Sequence, residues 1–116
     1  MEFFTFPKTQ RLLKRPDFVK LNRTGKRYHT THFVVITGKN GLDITRMGVT
    51  VGKKVGNAVT RNRTKRLLRE FFRLNKPRLP RGCDFVFVAK KDVAYLNYRK
   101  TKEELEPIVF DKIFVK

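Results

Sequence analysis

The chain has a single cysteine, Cys83, which excludes an intramolecular disulfide and fits a reducing compartment. One thiol and two histidines, His29 and His32, also leave too few ligands for a structural zinc site. Their odd spacing along a strand sends the two imidazoles to opposite faces, which speaks against a two-histidine, metal-free ribonuclease. Acids are scarce, ten against 28 Lys and Arg. None of the ten has the spacing of a two-metal nuclease or of an acid–base pair. Glu103, Glu104 and Glu106 read as the solvent face of a charged helix. No catalytic residue is therefore assigned to the protein, and its metal ligands, if any, are unknown. Gly48, Gly52 and Gly56 do not make a nucleotide-binding loop. No apolar run has the length of a signal peptide or the roughly 20 residues of a membrane span. The expectation is a cytoplasmic protein with no membrane partner and no small-molecule cofactor. No repeat, neutral half or low-complexity linker divides the 116 residues, which read as one domain, 1–116. Residues 1–7 read as an apolar arm that packs on the body or frays.

What is present is positive charge on a chain that can still fold. The hydrophobic fraction is 40%, with eleven Phe, enough for one modest core. The formal net charge is +18, and such a field opposes compaction unless a polyanion relieves it. A nucleic acid is the first candidate and an anionic membrane the weaker one.

Pattern and punctuation predict the elements. Pro16, Asp17 and Gly25 bracket a helix over 16–23. The segment 28–37, ending Phe33-Val34-Val35-Ile36-Thr37, reads as a strand. Gly38-Lys39-Asn40-Gly41 is turn chemistry, which predicts a hairpin to a partner strand over 44–52, with Met47, Val49 and Val51 on one face. Asn57 is the candidate N-cap of a helix reaching Leu74. Pro77 and Pro80 make 75–82 a loop. Residues 84–89 form a short apolar strand, buried on both faces. Asn97 caps a last helix in which Tyr98, Thr101 and Leu105 share a face and which Pro107 ends or kinks. Cys83 reads as a buried small hydrophobe. The order predicts an α+β or α/β sandwich on a small sheet.

The stretch 53–70 carries seven basic side chains and one acid yet keeps helical apolar spacing. On a helical wheel, Val59, Leu67, Leu68, Phe71 and Leu74 are expected to face the sheet. Arg61, Asn62, Lys65, Arg66, Arg69 and Arg73 form the opposite arc, and Lys53 and Lys54 extend it ahead of the helix. Arg63 falls on the apolar side, where it either snorkels or makes a specific contact. Solvated helix faces usually mix charge signs; this one has Glu70 alone. Arginine forks bind phosphate bidentately and stack on exposed bases, which suits folded RNA.

These residues carry a resemblance. Lys53-Lys54-Val55-Gly56-Asn57-Ala58-Val59, then Arg61-Asn62-Arg63, then Lys65-Arg66 and Arg69, resemble the signature arginine-asparagine-arginine helix of the protein subunit of bacterial ribonuclease P. The Pro16-Asp17-Phe18 helix, the hairpin, the Phe85–Lys91 strand and the Leu96–Leu105 helix follow the same family order. The resemblance implies a small α-β sandwich with a mostly antiparallel central sheet and a left-handed βαβ crossover, the type found in one ribosomal protein domain. It implies a protein that binds a catalytic ribonuclease P RNA and the 5′ leader of precursor tRNA, while RNA-bound Mg²⁺ and an active site in the RNA hydrolyse the leader bond. It assigns RNA binding to Lys53, Lys54, Asn57, Arg61, Asn62, Arg63, Lys65, Arg66, Arg69 and Arg73. Leader binding falls to Phe18, Ile36 and Lys90, with Tyr28 as a further stacking residue. Asn22 stands where the family often has a second aromatic, Ile36 where it has a tyrosine. A structural ribosomal RNA-binding protein is the alternative that size and charge also allow.

Overall fold

A computed structural model describes residues 15–113. The arm expected over 1–7 lies outside the described residues. Helix α1 runs Arg15–Thr24, α2 Ala58–Asn75 and α3 Tyr98–Glu106; the strands are β1 Lys26–His29, β2 Phe33–Lys39, β3 Arg46–Thr50 and β4 Cys83–Ala89. Among the described residues no helix is long and apolar enough to cross a membrane.

The sheet has four strands in the order β1-β2-β4-β3. β1 and β4 both flank β2 antiparallel, and β3 lies parallel to β4. The architecture is thus α+β with a mostly antiparallel sheet, and its parallel pair is joined through α2 as a βαβ unit. The hairpin expected across Gly38–Gly41 does not form. β4 inserts between β2 and β3, so the two strands on either side of that turn are not neighbours. Asn40 ties the turn down instead. Its amide donates to the Ile44 carbonyl at 3.0 Å and to Asp84 at 2.8 Å, and its backbone N–H donates to Gly82 at 2.8 Å. Gly82 holds φ +72 there, and a Cβ on it would lie 2.8 Å from the Leu42 carbonyl oxygen, so only glycine fits.

The segment read as one strand, 28–37, is in fact the real hairpin. It breaks at Thr30–His32, where the Thr30 N–H donates to the Phe33 carbonyl at 2.8 Å and the Phe33 N–H to Thr30 Oγ1 at 3.0 Å. No glycine or proline marks this turn; a threonine hydroxyl makes it.

Helices cover both sheet faces. α2 and α3 bury Leu68, Phe71, Phe72 and Leu105, and the segment after α3 buries Val109, against Phe33, Val35, Met47, Phe85 and Phe87. α1 seals a smaller cluster on the other face, where Leu21 sits on Ile36 and Val86. At Gly25 a Cβ would fall 2.7 Å from the Leu21 carbonyl oxygen and 2.9 Å from Ile36, so glycine lets α1 turn straight onto the sheet. β4 is central, and Asp84 to Phe87 are buried. Cys83 is only half-buried, and desolvation raises its thiol pKa.

Both asparagine caps form. Asn57 Oδ1 accepts from the Thr60 N–H at 2.9 Å and Asn97 Oδ1 from Lys100 at 2.8 Å. Pro107 ends the α-helical winding of α3 without ending the helical path, which continues as a π-helix over Pro107–Ile113. Proline has no N–H to give back to the preceding turn, and a wider turn absorbs that loss.

Candidate nucleic-acid interface

The orientation of α2 decides what its cations can reach. Its buried residues are Thr64, Leu68, Phe71, Phe72 and Asn75. Val59, expected in the core, is 76% exposed. At about 100° per residue it lies about 180° from Leu68. Burying Leu68, Phe71 and Phe72 yields about 2–3 kcal/mol each, against about 1.5 for Val59, so the C-terminal half of the helix sets the rotation. Leu67 and Leu74 are half-buried flanks rather than core.

That rotation divides the expected cationic arc. Asn62, Arg66, Arg69 and Arg73 line a shallow outward groove of about 300 Å³ together with Glu70. Glu70 takes Arg73 in a two-pronged pair, 3.0 Å to Nε and 2.7 Å to Nη2, and that hydrogen bonding holds the carboxyl below its ordinary range. Arg66 and Arg69 are exposed and make no ion pair among the described residues. Lys53 and Lys54 are exposed on a 3-10 turn, Lys53–Val55, immediately before α2, and Asn57 is occupied as its cap. Arg61 and Lys65 are half-buried, and Arg61 Nη1 donates to the Gly56 carbonyl at 2.8 Å. Arg63 is engaged internally: Nη1 donates to the Ala94 carbonyl at 3.1 Å and Nη2 to the Leu96 carbonyl. Of the two alternatives for Arg63, the structure has the specific contact, made to the protein's own backbone.

The face under α1 forms a second feature. Strand register sets His29, Val34, Val88 and Thr50 in one cross-strand row. Phe18, half-buried on α1, packs together with Val34 and Val88 of that row against the cluster of Leu21, Ile36 and Val86. His29 and Thr50 are exposed at its ends. Val34, Val88, Thr50 and His29 were missed from sequence because the row exists only once the register is known. Of the two residues expected beside Phe18, Ile36 shares its cluster but is fully covered, and Tyr28 lies on the other face. Ile36 is 0% exposed beneath Leu21 and offers no surface to a ligand, a correction to its expected role. Tyr28 pairs with Val35 and packs on the α2–α3 cluster, the opposite face of the sheet, because alternation sends neighbours of Ile36's partner the other way. Asn22 is exposed and its carbonyl accepts from Arg27 Nη2 at 2.8 Å. Lys90 closes β4, donating its backbone N–H to His32 at 2.8 Å and its ammonium to the Thr30 carbonyl at 2.6 Å.

The acids serve the frame. Glu104 is not the solvent-facing residue expected: it accepts from Thr30 Oγ1, from the His32 N–H at 2.7 Å, and faces His32 Nδ1 at 2.7 Å. Burial pushes its pKa up, but those hydrogen bonds outweigh burial and hold it below its ordinary value. Asp84 receives Arg46 at 2.9 and 2.8 Å, and Asp17 lies 3.6 Å from the same guanidinium. Glu106 faces Arg78 at 3.2 Å and Glu103 faces Arg99 at 3.2 Å. Among the described residues no three His, Cys, Asp or Glu side chains converge. A hard ion such as Mg²⁺ wants several oxygen ligands, and this donor set, drawn onto cations, does not fit it.

The chain as a whole matches known proteins in sequence and in fold. The Ribonuclease P family profile matches residues 6–113. The ribonuclease P protein component of Desulforapulum autotrophicum is 46% identical over 113 residues, spanning 97% of this chain and 96% of the relative. That of Syntrophus aciditrophicus is 45% identical over 105 residues, 90% of this chain and 88% of the relative. The solved ribonuclease P protein from Thermotoga maritima superposes with a TM-score of 0.80 at 35% identity, covering 87% of this chain and 96% of its own. The one from Staphylococcus aureus gives 0.81 at 32% identity, covering 92% and 96%.

Proposed function

The chain belongs to the bacterial ribonuclease P protein family, and from that membership we propose that it binds the catalytic RNA of the holoenzyme through the outward groove of α2 and the 5′ leader of precursor tRNA along the α1 face of the sheet. As a protein component of ribonuclease P it is part of an endoribonuclease of tRNA processing. The single observation carrying the RNA contact is the outward Asn62-Arg66-Arg69-Arg73 groove. The exposed guanidinium forks of Arg66 and Arg69, which hold no ion pair among the described residues, are free to meet phosphates, and each phosphate neutralised releases counterions.

The strip of Phe18, Val34 and Val88 supports the leader assignment. An apolar floor with one aromatic suits unstacked bases of any sequence. Lys90 adds a cation near that end of the sheet, although its ammonium is already hydrogen-bonded to Thr30. The protein's own work is to bind and align; Mg²⁺ and the hydrolytic centre are assigned to the RNA, as the family resemblance implies. Reconstitution at low Mg²⁺ tests the reading. Adding the protein to the catalytic RNA should restore leader cleavage of precursor tRNA, and failure to do so overturns it.

A further inference from the structure

Tyr95 is 88% exposed, the most exposed of the large hydrophobic side chains among the described residues. It does not hang on a loose loop. It ends a 3-10 turn, Val93–Tyr95, whose first residue Val93 and following residue Leu96 are 1% and 6% exposed and locked into the main core. The carbonyls on either side of Tyr95, those of Ala94 and Leu96, are both held by the guanidinium of Arg63. The ring is thus thrust outward from a backbone pinned at both sides. Packing within the described residues does not require it there, since burying it would be worth about 2 kcal/mol that the fold forgoes.

The surroundings say what would cover it. Arg63 belongs to α2, and Val59, 76% exposed, precedes it by one turn on the same side. Arg66 follows by one turn and lines the cationic groove. Lys91 and Lys100 are exposed on the two segments that flank the turn, with Asp92 the one acid between them and Tyr95. An exposed ring on a turn tied to the helix that carries the arginine groove, on a chain of net charge +18, has the chemistry of a base-stacking platform beside a phosphate track. An aromatic turn aimed at a protein partner would face the same repulsion from any basic surface and gain nothing from the groove.

We propose that Tyr95 stacks on an unpaired nucleotide of the RNA bound along α2, with Arg63 acting as the positioning residue that holds its turn. The inference rests on the proposed RNA contact of α2. Stacking is nearly independent of salt, whereas phosphate contacts are not. Tyr95→Ala should therefore weaken catalytic RNA binding by roughly 5- to 100-fold at every salt concentration, leaving the log–log salt slope unchanged, and Tyr95→Phe should retain affinity. Arg66→Ala should lower the slope. Because the chain contains no tryptophan, Tyr95→Trp places a unique indole at the site. Its fluorescence should be quenched by the catalytic RNA and by single-stranded polyadenylate, and not by a fully paired RNA duplex. If the parent protein binds the RNA and Tyr95→Ala binds within twofold of it, or the indole is not quenched, the stacking role is overturned and the groove assignment stands. If the parent itself does not bind, both fall.

Discussion

Phe18 and Tyr28 lie on opposite faces of one sheet: Phe18 of α1 packs, with Val34 and Val88, on the Leu21–Ile36–Val86 cluster, while Tyr28 joins the cluster built on α2 and α3. Only Phe18 therefore adjoins the strip assigned to the leader. Phe18→Ala should weaken precursor tRNA binding by about 1–3 kcal/mol and leave mature tRNA unchanged. Tyr28→Ala should instead lower thermal stability, by about 1–2 kcal/mol, with no change in the precursor-to-mature ratio. Binding of both tRNAs by each variant, alongside its melting curve, decides the matter; equal losses for the two tRNAs with Phe18→Ala would return that ring to the core.

The basic residues of α2 should separate into two classes. Arg66→Ala and Arg69→Ala, on the open groove, should each reduce the salt slope of RNA binding by roughly 0.7–0.9. Arg63→Ala should lower the melting temperature, because two carbonyls lose their donor, and Arg63→Lys should not restore it, since one ammonium cannot replace the fork. Salt titrations and melting curves on the same preparations check this, and a slope change with Arg63→Ala as large as with Arg66→Ala would place Arg63 on the RNA instead.

Arg46 and Asp84 should be strongly coupled. They are opposite each other in the parallel β3–β4 register, and Arg46 donates two hydrogen bonds to the nearly buried Asp84 carboxylate. The pair also raises the Arg46 pKa, chiefly through the bond to Asp84. Arg46→Ala strands a buried carboxylate and should cost about 3 kcal/mol in urea unfolding. The double replacement with Asp84→Ala should cost clearly less than the sum of the two singles. Additive losses would show that the pair contributes little.

Glu104 should give the protein an acid-sensitive link between α3 and the β1–β2 turn. Its folded pKa is held below the ordinary value of 4.5. A depressed carboxyl stabilises the fold above its unfolded pKa, and that contribution disappears as pH falls through the lower folded pKa. Stability should drop below about pH 4.5, and Glu104→Gln should be less stable at neutral pH while losing less on acidification. Urea midpoints measured between neutral and acid pH test this; parallel curves for the parent and Glu104→Gln would exclude the residue as a source of the acid limb.

Local signals were legible where the chemistry is local. Asn57 and Asn97 announce their helices because an N-cap needs only a side-chain oxygen and the next turn. The Arg61-Asn62-Arg63 block named the family for the same reason. The hairpin partner was not legible: Gly38–Gly41 says that the chain turns, not which strand will lie beside it. The Thr30–His32 turn escaped because its signal is a hydroxyl bond completed by Glu104, 74 positions away. Val59 was misplaced because apolar character in one turn does not reveal that the Phe71–Phe72 end controls the rotation.

Composition and spacing by themselves determined that this chain folds around phenylalanine and carries a cationic helix suited to a polyanion, because charge density, periodicity and caps are properties of neighbours along the chain. Tertiary structure alone decided which cations are available. It placed β4 between β2 and β3, half-buried Arg61 and Lys65, committed Arg63 to the Ala94 and Leu96 carbonyls, and left Arg66, Arg69 and Tyr95 exposed. The reason is that burial is settled among residues distant in sequence, and the surface is whatever the best-packed core leaves over.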